Sequence, residues 1–460
     1  MSLFHVSLFV ISLSLSHQTV AKDVTSKDEI VDSNIPEIIS LLDEYRSIVV
    51  ALDIPEFELS YLNNLNKLGS KTALQNQTSL LLGIFLKMSQ VQGDRLNNCQ
   101  LIEFDLAFAD LGKLIDRANL GIKYLDKGSP KSDGLYSLPQ GKLWYQYYLK
   151  NWLGADVDPD WLFAFGEHEL QLAVKEYRLV QSQLGFEGDD YGLQNYLERE
   201  FNSDDFDSLP SMYRAKQNIV RENLGEQFYS NYDVPLAKIV RSDRGMDFPV
   251  PGWYNGSDSF FYNVFSGQYD LRQMDWLFIH EATPGHHFQS SLNRSQTKCN
   301  RKSPNQSSAY TEGWAAYAET LGSSMGLYLD PAGKLGGIEW NMIRSARVAM
   351  DVGINYYGWT NDDALDYWHK NVIGKKSVAM REINRMRNWP AQVITYKYGA
   401  NVFSKMKSYF LENTQVDGTA APSSELVKRG VRDYHDLALS YGSMLLSTFE
   451  FIVIRSQRIN

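Results

Sequence analysis

The segment His280-Glu281-Ala282-Thr283-Pro284-Gly285-His286-His287 holds three of the eight histidines of this 460-residue chain. A glutamate follows the first histidine directly, as it does on zinc-hydrolase helices that present one metal ligand and one general base. On those helices a second histidine lies four residues after the first, so that both rings meet one tetrahedral ion. Here that position is Pro284, and the next histidines come six and seven residues after His280. An ordinary surface cluster is the alternative, but the preceding run Trp276-Leu277-Phe278-Ile279 predicts burial.

The dipeptide Pro284-Gly285 gives a physical reason for the longer spacing. Proline removes a backbone donor and clashes with the preceding helical turn, and glycine tolerates unusual dihedral angles. We expect these residues to bulge the helix by two positions and to bring His286 to the place of the second ligand. The alternative second ligand is His287, which on an unbroken helix returns to the face of His280 but lies about 10.5 Å along the axis.

The segment Thr311-Glu312-Gly313-Trp314-Ala315-Ala316-Tyr317-Ala318-Glu319 supplies the third candidate ligand. Glu312 lies 26 residues after His286, a usual separation for a glutamate that a second helix donates to zinc. The three alanines allow this helix to pack closely, and Glu319 lies on the face of Glu312, where we expect it to orient a ligand. The alternative for Glu312 is an exposed glutamate favoured by the helix dipole. The sequence therefore predicts one Zn²⁺ per chain, bound by His280, His286 and Glu312.

This predicted site has the chemistry of a hydrolase. A zinc ion on two neutral imidazoles and one carboxylate keeps an open position for water and lowers the pKa of that water towards about 7. Glu281 is then the general base, which takes the water proton and passes it to the leaving group. A nearby donor must stabilise the oxyanion.

The elements that must position these residues are mostly helices. Apolar residues recur at intervals of three and four over residues 35–52, 78–88, 103–125 and 161–184, whereas the best strand patterns are 236–240 and 259–265. We therefore predict a mainly α fold with a small sheet beside the active-site helix. The turn-rich stretch 126–141 divides an N-terminal helical region, 22–140, from a catalytic domain, 141–460.

The first 21 residues have the pattern of a signal peptide, because an apolar run is followed by the small-x-small tripeptide Thr19-Val20-Ala21. The run has no Lys or Arg before it, and a buried N-terminal segment is the alternative. We expect export to the periplasm or the extracellular space. Cys99 and Cys299 form one bridge or remain two thiols, and the lack of a CxxC spacing excludes a cysteine-based zinc site.

Composition narrows the choice of partners. The net charge of -10 argues against a nucleic-acid-binding surface, which needs a basic patch. No later run is long and apolar enough to predict a membrane span. A short peptide substrate fits the predicted site, and the sequence predicts no particular oligomeric state.

The segments 280–289 and 312–319 resemble a bacterial family of unknown function, DUF885, which is related in pattern to the M3 and M32 metallopeptidases. The resemblance continues through 344–353, 358–360, 382–385 and 390–399, and it covers roughly two thirds of the chain. It implies a helical zincin-like fold of the M3/M32 type, a zinc peptidase site and frequent export. Asn355 stands where the family usually has histidine, and Pro390-Ala391-Gln392 replaces the common Pro-Gly-Gln.

By the same resemblance, Arg385, Gln392 and Tyr396 approach the active cleft. These residue types suit it, because arginine binds a carboxylate with two hydrogen bonds and a tyrosine hydroxyl donates to an oxyanion. Helix capping and core hydrogen bonding are the alternative roles. Four-residue spacing predicts an ion pair between Arg347 and Asp351, with a ligand-orienting role for Asp351 as the alternative.

The strand predicted within 260–265 offers another place for substrate. An edge strand beside the active-site helix would bind an extended peptide by main-chain hydrogen bonds, with Tyr262 as a contact. A plain core strand is the alternative.

Three functions follow from these residues. The first is a zinc metallopeptidase acting on short peptides as an exopeptidase or oligopeptidase, with carboxypeptidase or dipeptidase action favoured by Arg385. The second is a zinc-dependent amide or ester hydrolase of a non-peptide or modified-peptide substrate. The third is a catalytically silent helical binding protein, against which the retained Glu281 argues.

Overall fold

The computed structural model describes residues 35–127, 134–229, 232, 234–244, 250–265, 267–295, 297–299, 307–414 and 424–458; the predicted signal peptide lies outside them. This part of the chain is mainly helical, which confirms the predicted fold class at that level. Among the described residues, none of the helices is both long enough and apolar enough to cross a membrane.

The first eight helices are α1 (Ile35–Leu52), α2 (Tyr61–Asn66), α3 (Lys71–Met88), α4 (Asn98–Lys127), α5 (Gly141–Leu153), α6 (Pro159–Gln183), α7 (Asp190–Phe201) and α8 (Leu209–Asn223). The others are α9 (Met274–Glu281), α10 (His286–Ser295), α11 (Ser308–Ala318), α12 (Pro331–Val352), α13 (Asn361–Asn371), α14 (Ala379–Asn388), α15 (Ile394–Thr414), α16 (Ser424–Ser440) and α17 (Leu446–Arg458). All four stretches with helical periodicity are helices, namely α1, α3, α4 and α6.

Two small sheets precede α9. Strands β2 (Lys238–Arg241), β3 (Gly252–Tyr254) and β4 (Ser259–Tyr262) form one sheet, in which β4 lies between a parallel β2 and an antiparallel β3. Strands β1 (Asn202–Ser203) and β5 (Tyr269–Asp270) pair antiparallel. Of the two alternatives for the strand at 260–265, the core strand is therefore the one observed, because β4 has a hydrogen-bonded neighbour on both sides.

Helix α12 forms the centre of the fold and is buried along most of its length. It begins at Pro331, where the Asp330 side chain accepts a hydrogen bond from the Gly333 backbone amide. It lies against α6, and a Cβ at Gly166 would come within 2.6 Å of the Ala349 backbone nitrogen. Charged residues on such a helix need partners from other elements, since unpaired buried charges are costly.

The hydrophobic core has two parts among the described residues. A smaller cluster lies within α1, α3 and α4, with Leu81, Met88 and Leu111 at its centre. The larger cluster runs from α2 to α17 and includes residues on both sides of the predicted boundary at 140/141, which remains a prediction. A disulfide joins Cys99 of α4 to Cys299, which follows α10, so the bridged alternative is the one observed.

Candidate metal centre

The histidine-rich segment consists of two helices rather than one bulged helix. Helix α9 ends at Glu281, Ala282 has φ -106° and ψ -101°, and α10 begins at His286. Gly285 packs against the end of α9 so closely that a Cβ would lie 1.9 Å from the His280 carbonyl oxygen. The indole nitrogen of Trp314 donates to the Pro284 carbonyl oxygen at 2.8 Å and holds the turn from the side of α11. The predicted bulge is wrong, because the helix stops and restarts.

This turn brings together the three predicted metal ligands. Oε2 of Glu312 lies 3.5 Å from Nε2 of His280 and 3.3 Å from Nε2 of His286, and one atom from each residue lies within 4.8 Å of the others. Ligands on a tetrahedral zinc at about 2.0–2.1 Å are separated by about 3.3 Å. The donor set of two imidazole nitrogens and one carboxylate oxygen therefore suits zinc in type, and both separations from Oε2 of Glu312 are close to this spacing.

His287, the alternative ligand, faces away from this centre. Its Nε2 lies 2.6 Å from the carbonyl oxygen of Pro235, and its ring packs edge-on against Tyr254. The side chain is buried, and its Nδ1 has no hydrogen-bond partner among the described residues. These contacts favour His286 as the second ligand.

Glu319 contacts the other ring nitrogen of His280, the first candidate ligand. Its Oε1 lies 2.7 Å from Nδ1 of His280, and its Oε2 accepts a hydrogen bond from Arg344 of α12 at 2.5 Å. When Nδ1 carries the proton and donates it to Glu319, Nε2 is left with its lone pair on the side of Glu312 and His286. Glu319 therefore contacts one of the candidate ligands, and its role in orienting that ligand stays a prediction.

Charges within the cluster are strongly coupled. Burial disfavours the charged form of His280, but the carboxylates of Glu312 and Glu319 outweigh it and raise its pKa to about 9. Burial would raise the pKa of Glu312, yet His286 and His280 hold that pKa well below its usual range. Burial raises the pKa of Glu281, while His280 and His286 oppose the shift. A carboxylate with a raised pKa suits a general base.

Helix α11, which carries Glu312, lies in backbone contact with α15. A Cβ at Gly313 would lie 2.5 Å from the Gly399 Cα atom, and a Cβ at Gly399 would lie 2.2 Å from the Ala309 carbonyl oxygen. The sequence analysis attributed close packing to the alanines of this segment, whereas the crossing point is at two glycines. This contact fixes Glu312 relative to the residues at the start of α15.

One of those residues is Tyr396, whose ring stacks against His280 with 6.0 Å between the centroids. Its hydroxyl oxygen accepts a hydrogen bond from Nη2 of Arg385 at 3.3 Å, and the same nitrogen donates to Oε1 of Gln392 at 2.8 Å. The three residues that the resemblance implied therefore form one cluster beside the first ligand. We call Arg385, Gln392 and Tyr396 the arginine clamp.

The predicted ion pair between Arg347 and Asp351 is wrong. Arg347 binds Glu382 of α14, with both its Nε and its Nη2 at 2.8 Å from Oε2, and Arg381 lies 3.3 Å from the other carboxylate oxygen. Arg347 and Glu382 are both almost fully buried. The four-residue spacing on α12 was misleading, because a buried helix finds its partners on its neighbours.

Asp351 supports the turn that precedes α15. Its Oδ1 accepts hydrogen bonds from the Tyr145 hydroxyl at 2.8 Å and the Ala391 backbone amide at 2.9 Å, and the Asn355 amide lies 3.4 Å away. Ala391 is left-handed, with φ 65°, a conformation that favours glycine. Asp351 contacts none of the three candidate ligands in these hydrogen bonds; it holds the residue before Gln392.

Tyr262 lies away from the candidate centre. It is fully buried in β4, and its ring packs against Tyr213 and Tyr269. The core-strand alternative therefore describes it better than the substrate contact.

Arg344 and Arg381 also lie in this region, although neither is among the site residues predicted from the sequence. Arg344 contacts Glu319 and lies over the rings of Trp276 and Tyr396. Arg344 could have been found from the sequence, because it lies on a helix that has apolar residues on all sides. Such a helix is buried, and each buried charge needs a partner. For Arg381 the sequence gave no comparable signal, because α14 is amphipathic.

Comparisons with known proteins agree on family and fold. Residues 107–451 match the family described as bacterial protein of unknown function, DUF885. A structure from Colwellia psychrerythraea is 19% identical, with a TM-score of 0.63, and the match covers 95% of this chain and 77% of that one. A structure from Shewanella oneidensis is 17% identical, with a TM-score of 0.56, and covers 92% and 80%. Each is described as a "putative lipoprotein", and the second as "of unknown function".

No curated protein matches this chain significantly. The two solved structures establish a shared fold, and the family match extends over well more than half of the residues, from α4 to α17. The chain therefore belongs to the DUF885 family of bacterial proteins.

Proposed function

We propose that this chain is a zinc-dependent peptidase that cleaves short peptides near their C-terminal end. The observation that carries the proposal is the spacing of His280, His286 and Glu312, whose facing atoms are 3.3 and 3.5 Å apart, with Glu281 directly after the first ligand. In this proposal the fold is of the helical zincin-like type.

When bound to these three residues, zinc supplies Lewis-acid chemistry, in that it lowers the pKa of a coordinated water and polarises a carbonyl group. Glu281 accepts the proton of the attacking water and donates it to the leaving amine. Its burial suits the first of these steps, because a carboxylate with a raised pKa is a stronger base and takes the proton of the water more readily. Glu319 and Arg344 hold the His280 ring in the orientation that leaves Nε2 for the metal.

The arginine clamp supports cleavage near a C-terminus. Within the described residues Arg385 forms no ion pair within 4.0 Å, and its Nε is buried without a hydrogen-bond partner. A substrate carboxylate would supply both the missing ion pair and the missing hydrogen-bond acceptor, because the planar guanidinium can donate two hydrogen bonds to one carboxylate. Tyr396 contacts both Arg385 and the His280 ring. A terminal carboxylate on Arg385 therefore lies within about one or two residues of the scissile bond, at roughly 3.3–3.6 Å per residue.

We also propose that the protein is exported. The N-terminal residues 1–21 have the signal-peptide pattern, and the disulfide between Cys99 and Cys299 is typical of oxidising compartments. The two proteins of similar fold are each described as a "putative lipoprotein". These observations agree with a periplasmic or extracellular location.

The test combines metal analysis with a digest of a peptide library read by mass spectrometry. We expect about one zinc per chain, loss of one or two residues from the C-terminal end, and no cleavage of the same peptides with a C-terminal amide. Glu281→Gln should retain zinc and lose activity by about a hundredfold or more, because only the proton acceptor changes.

Two results would contradict the proposal. Purified protein that binds well under one zinc per chain after reconstitution would remove the metal site. Zinc-loaded protein that cuts no peptide, while Glu281→Gln alters turnover of another amide or ester, would leave a hydrolase of a different substrate class.

A further inference from the structure

Helix α14 places an excess of positive charge beside the candidate centre. Arg381 and Arg385 lie one turn apart on this helix, and Arg347 reaches the same place from α12. Glu382 is the one carboxylate that contacts any of the three within 4.0 Å in the described part of the chain. Two of the three guanidinium groups therefore contact one buried carboxylate, and the third, that of Arg385, contacts none within 4.0 Å among the described residues.

The charges of Arg347 and Glu382 neutralise each other, so the excess positive charge lies on the two arginines of α14. Arg347 makes two contacts with the carboxylate, at 2.8 Å each, and stacks over Trp340. Arg381 contacts it once, at 3.3 Å, and Arg385 donates only to the neutral side chains of Gln392 and Tyr396.

Arg381 and Arg385 each have a hydrogen-bond donor without a partner. The Nε atoms of Arg381 and Arg385 are buried and have no hydrogen-bond partner among the described residues. Buried polar groups without partners are uncommon in folded proteins, and charged ones are costly. Arg381 also remains accessible, since its side chain is 24% exposed. Its guanidinium group lies over the ring of Phe265. Two cationic groups with unused donors, one turn apart, fit a ligand with two carboxylates.

We propose that the substrate ends in an acidic residue, whose α-carboxylate binds Arg385 and whose side-chain carboxylate binds Arg381. This inference rests on the proposed peptidase function and specifies its substrate class. Side chains four residues apart on a helix are about 5–6 Å apart at Cβ, a separation comparable to that of the two carboxylates of glutamate. Aspartate is one methylene shorter and reaches less far.

The experiment compares peptides that differ only in the last residue, glutamate or glutamine. Glutamine has the shape of glutamate without its charge, so the ratio of their kcat/KM values measures the side-chain carboxylate alone. Hydrogen bonds to charged groups contribute about 1.5–3 kcal/mol, so we expect a ratio of roughly 10 to 140. A peptide ending in aspartate should fall between the two.

Variants connect this preference to Arg381. Arg381→Gln should bring the glutamate-to-glutamine ratio close to one, whereas Arg381→Lys, which keeps the charge but not the fork of donors, should give an intermediate ratio. Arg429→Gln is the matched control, because Arg429 lies on α16 with 72% of its side chain exposed, and its loss should leave the ratio unchanged. Zinc content and thermal unfolding of each variant establish that it is folded.

A wild-type ratio of one or less overturns the inference without any variant, and so does a high ratio that persists in folded Arg381→Gln. Failure of the peptidase function is distinguishable, because neither peptide would then be cut. In that case the two-carboxylate site is tested by calorimetric titration of zinc-loaded protein with N-acetylglutamate and with N-acetylglutamine. Equal affinities overturn the two-carboxylate site, and tighter binding of N-acetylglutamate that is lost in Arg381→Gln supports it.

Discussion

Oε1 of Glu319 lies 2.7 Å from Nδ1 of His280, on the side of the imidazole opposite the nitrogen that faces Glu312. The two nitrogens of one ring thus face two different carboxylates, one from within α11 and one from the residue that directly follows it. Carboxylates that orient a ligand histidine typically change metal affinity by 10- to 100-fold when they are removed. This relationship gives the first prediction.

Glu319→Gln should raise the zinc dissociation constant by about 10- to 100-fold, because glutamine carries no charge to hold the His280 proton or to balance Arg344. The measurement is competition for zinc with a chelator of known affinity. Glu425→Gln is the control, since Glu425 lies on α16 with 72% of its side chain exposed. An unchanged dissociation constant in folded Glu319→Gln would assign Glu319 a purely structural role.

Gly313→Ala should lower the free energy of unfolding by about 1–3 kcal/mol, the usual cost of overpacking. The new Cβ would lie 2.5 Å from the Cα atom of Gly399, and both helices must shift because the contact is with backbone. Gly83→Ala is the control: Gly83 lies within α3, nothing lies within 4 Å of its Cβ position, and alanine should raise stability by up to about 1 kcal/mol. Chemical denaturation measures both; equal effects would contradict the close crossing of α11 and α15.

Ala391→Gly should raise the free energy of unfolding by roughly 0.5–1 kcal/mol. The substitution relieves the strain of a left-handed alanine, which is about 1–2 kcal/mol. The greater freedom of glycine in the unfolded chain reduces this gain by about 0.5–1 kcal/mol. The same substitution at Ala364, within α13, should instead lower it by about 1 kcal/mol or more. Denaturation of both variants checks the opposite signs, and destabilisation by Ala391→Gly would contradict strain at this turn.

His435 should make stability depend on pH. Its Nε2 lies 2.7 Å from the Tyr317 hydroxyl and its Nδ1 2.8 Å from the Gln227 carbonyl oxygen, and burial lowers its pKa from 6.5 to about 3. Between pH 6.5 and about 3 the unfolded chain therefore binds a proton that the folded chain does not. The contribution of His435 is fully present above pH 6.5 and is lost as the pH falls, by about 1.4 kcal/mol per pH unit.

The measurement is the difference in unfolding free energy between wild type and His435→Gln at several pH values, because other groups titrate equally in both. This difference should shrink on acidification from pH 6.5. A difference that stays constant down to pH 4 would mean that His435 is protonated in the folded protein.

The sequence predicted much of this arrangement for identifiable reasons. Long periodic helices such as α1 and α6 follow directly from their apolar spacing. His280, His286 and Glu312 were recognised because their residue types and order are informative even when the spacing is unusual. That they converge within 4.8 Å depends on the backbone path after Glu281, which the sequence analysis described only as a bulge.

Contacts between residues that are far apart in the chain could not be predicted from the sequence. Glu382 follows Arg347 by 35 residues, and β2 adds to β4 in parallel from an earlier segment. Neither pairing has a local pattern, because each depends on how whole elements pack. The predicted partner of Arg347 is wrong for this reason, and for β4 the sequence left the edge and core alternatives open.

For the proposed peptidase, the glycine contact between α11 and α15 also limits how the substrate range can be changed. With only hydrogen atoms between Gly313 and Gly399, these helices have no side chain at the crossing whose removal would widen the space between Glu312 and Tyr396. Engineering towards larger or uncharged terminal residues therefore has to alter α14 or the turn before α15, where side chains such as Arg381 and Gln392 can be exchanged while the metal ligands stay in place.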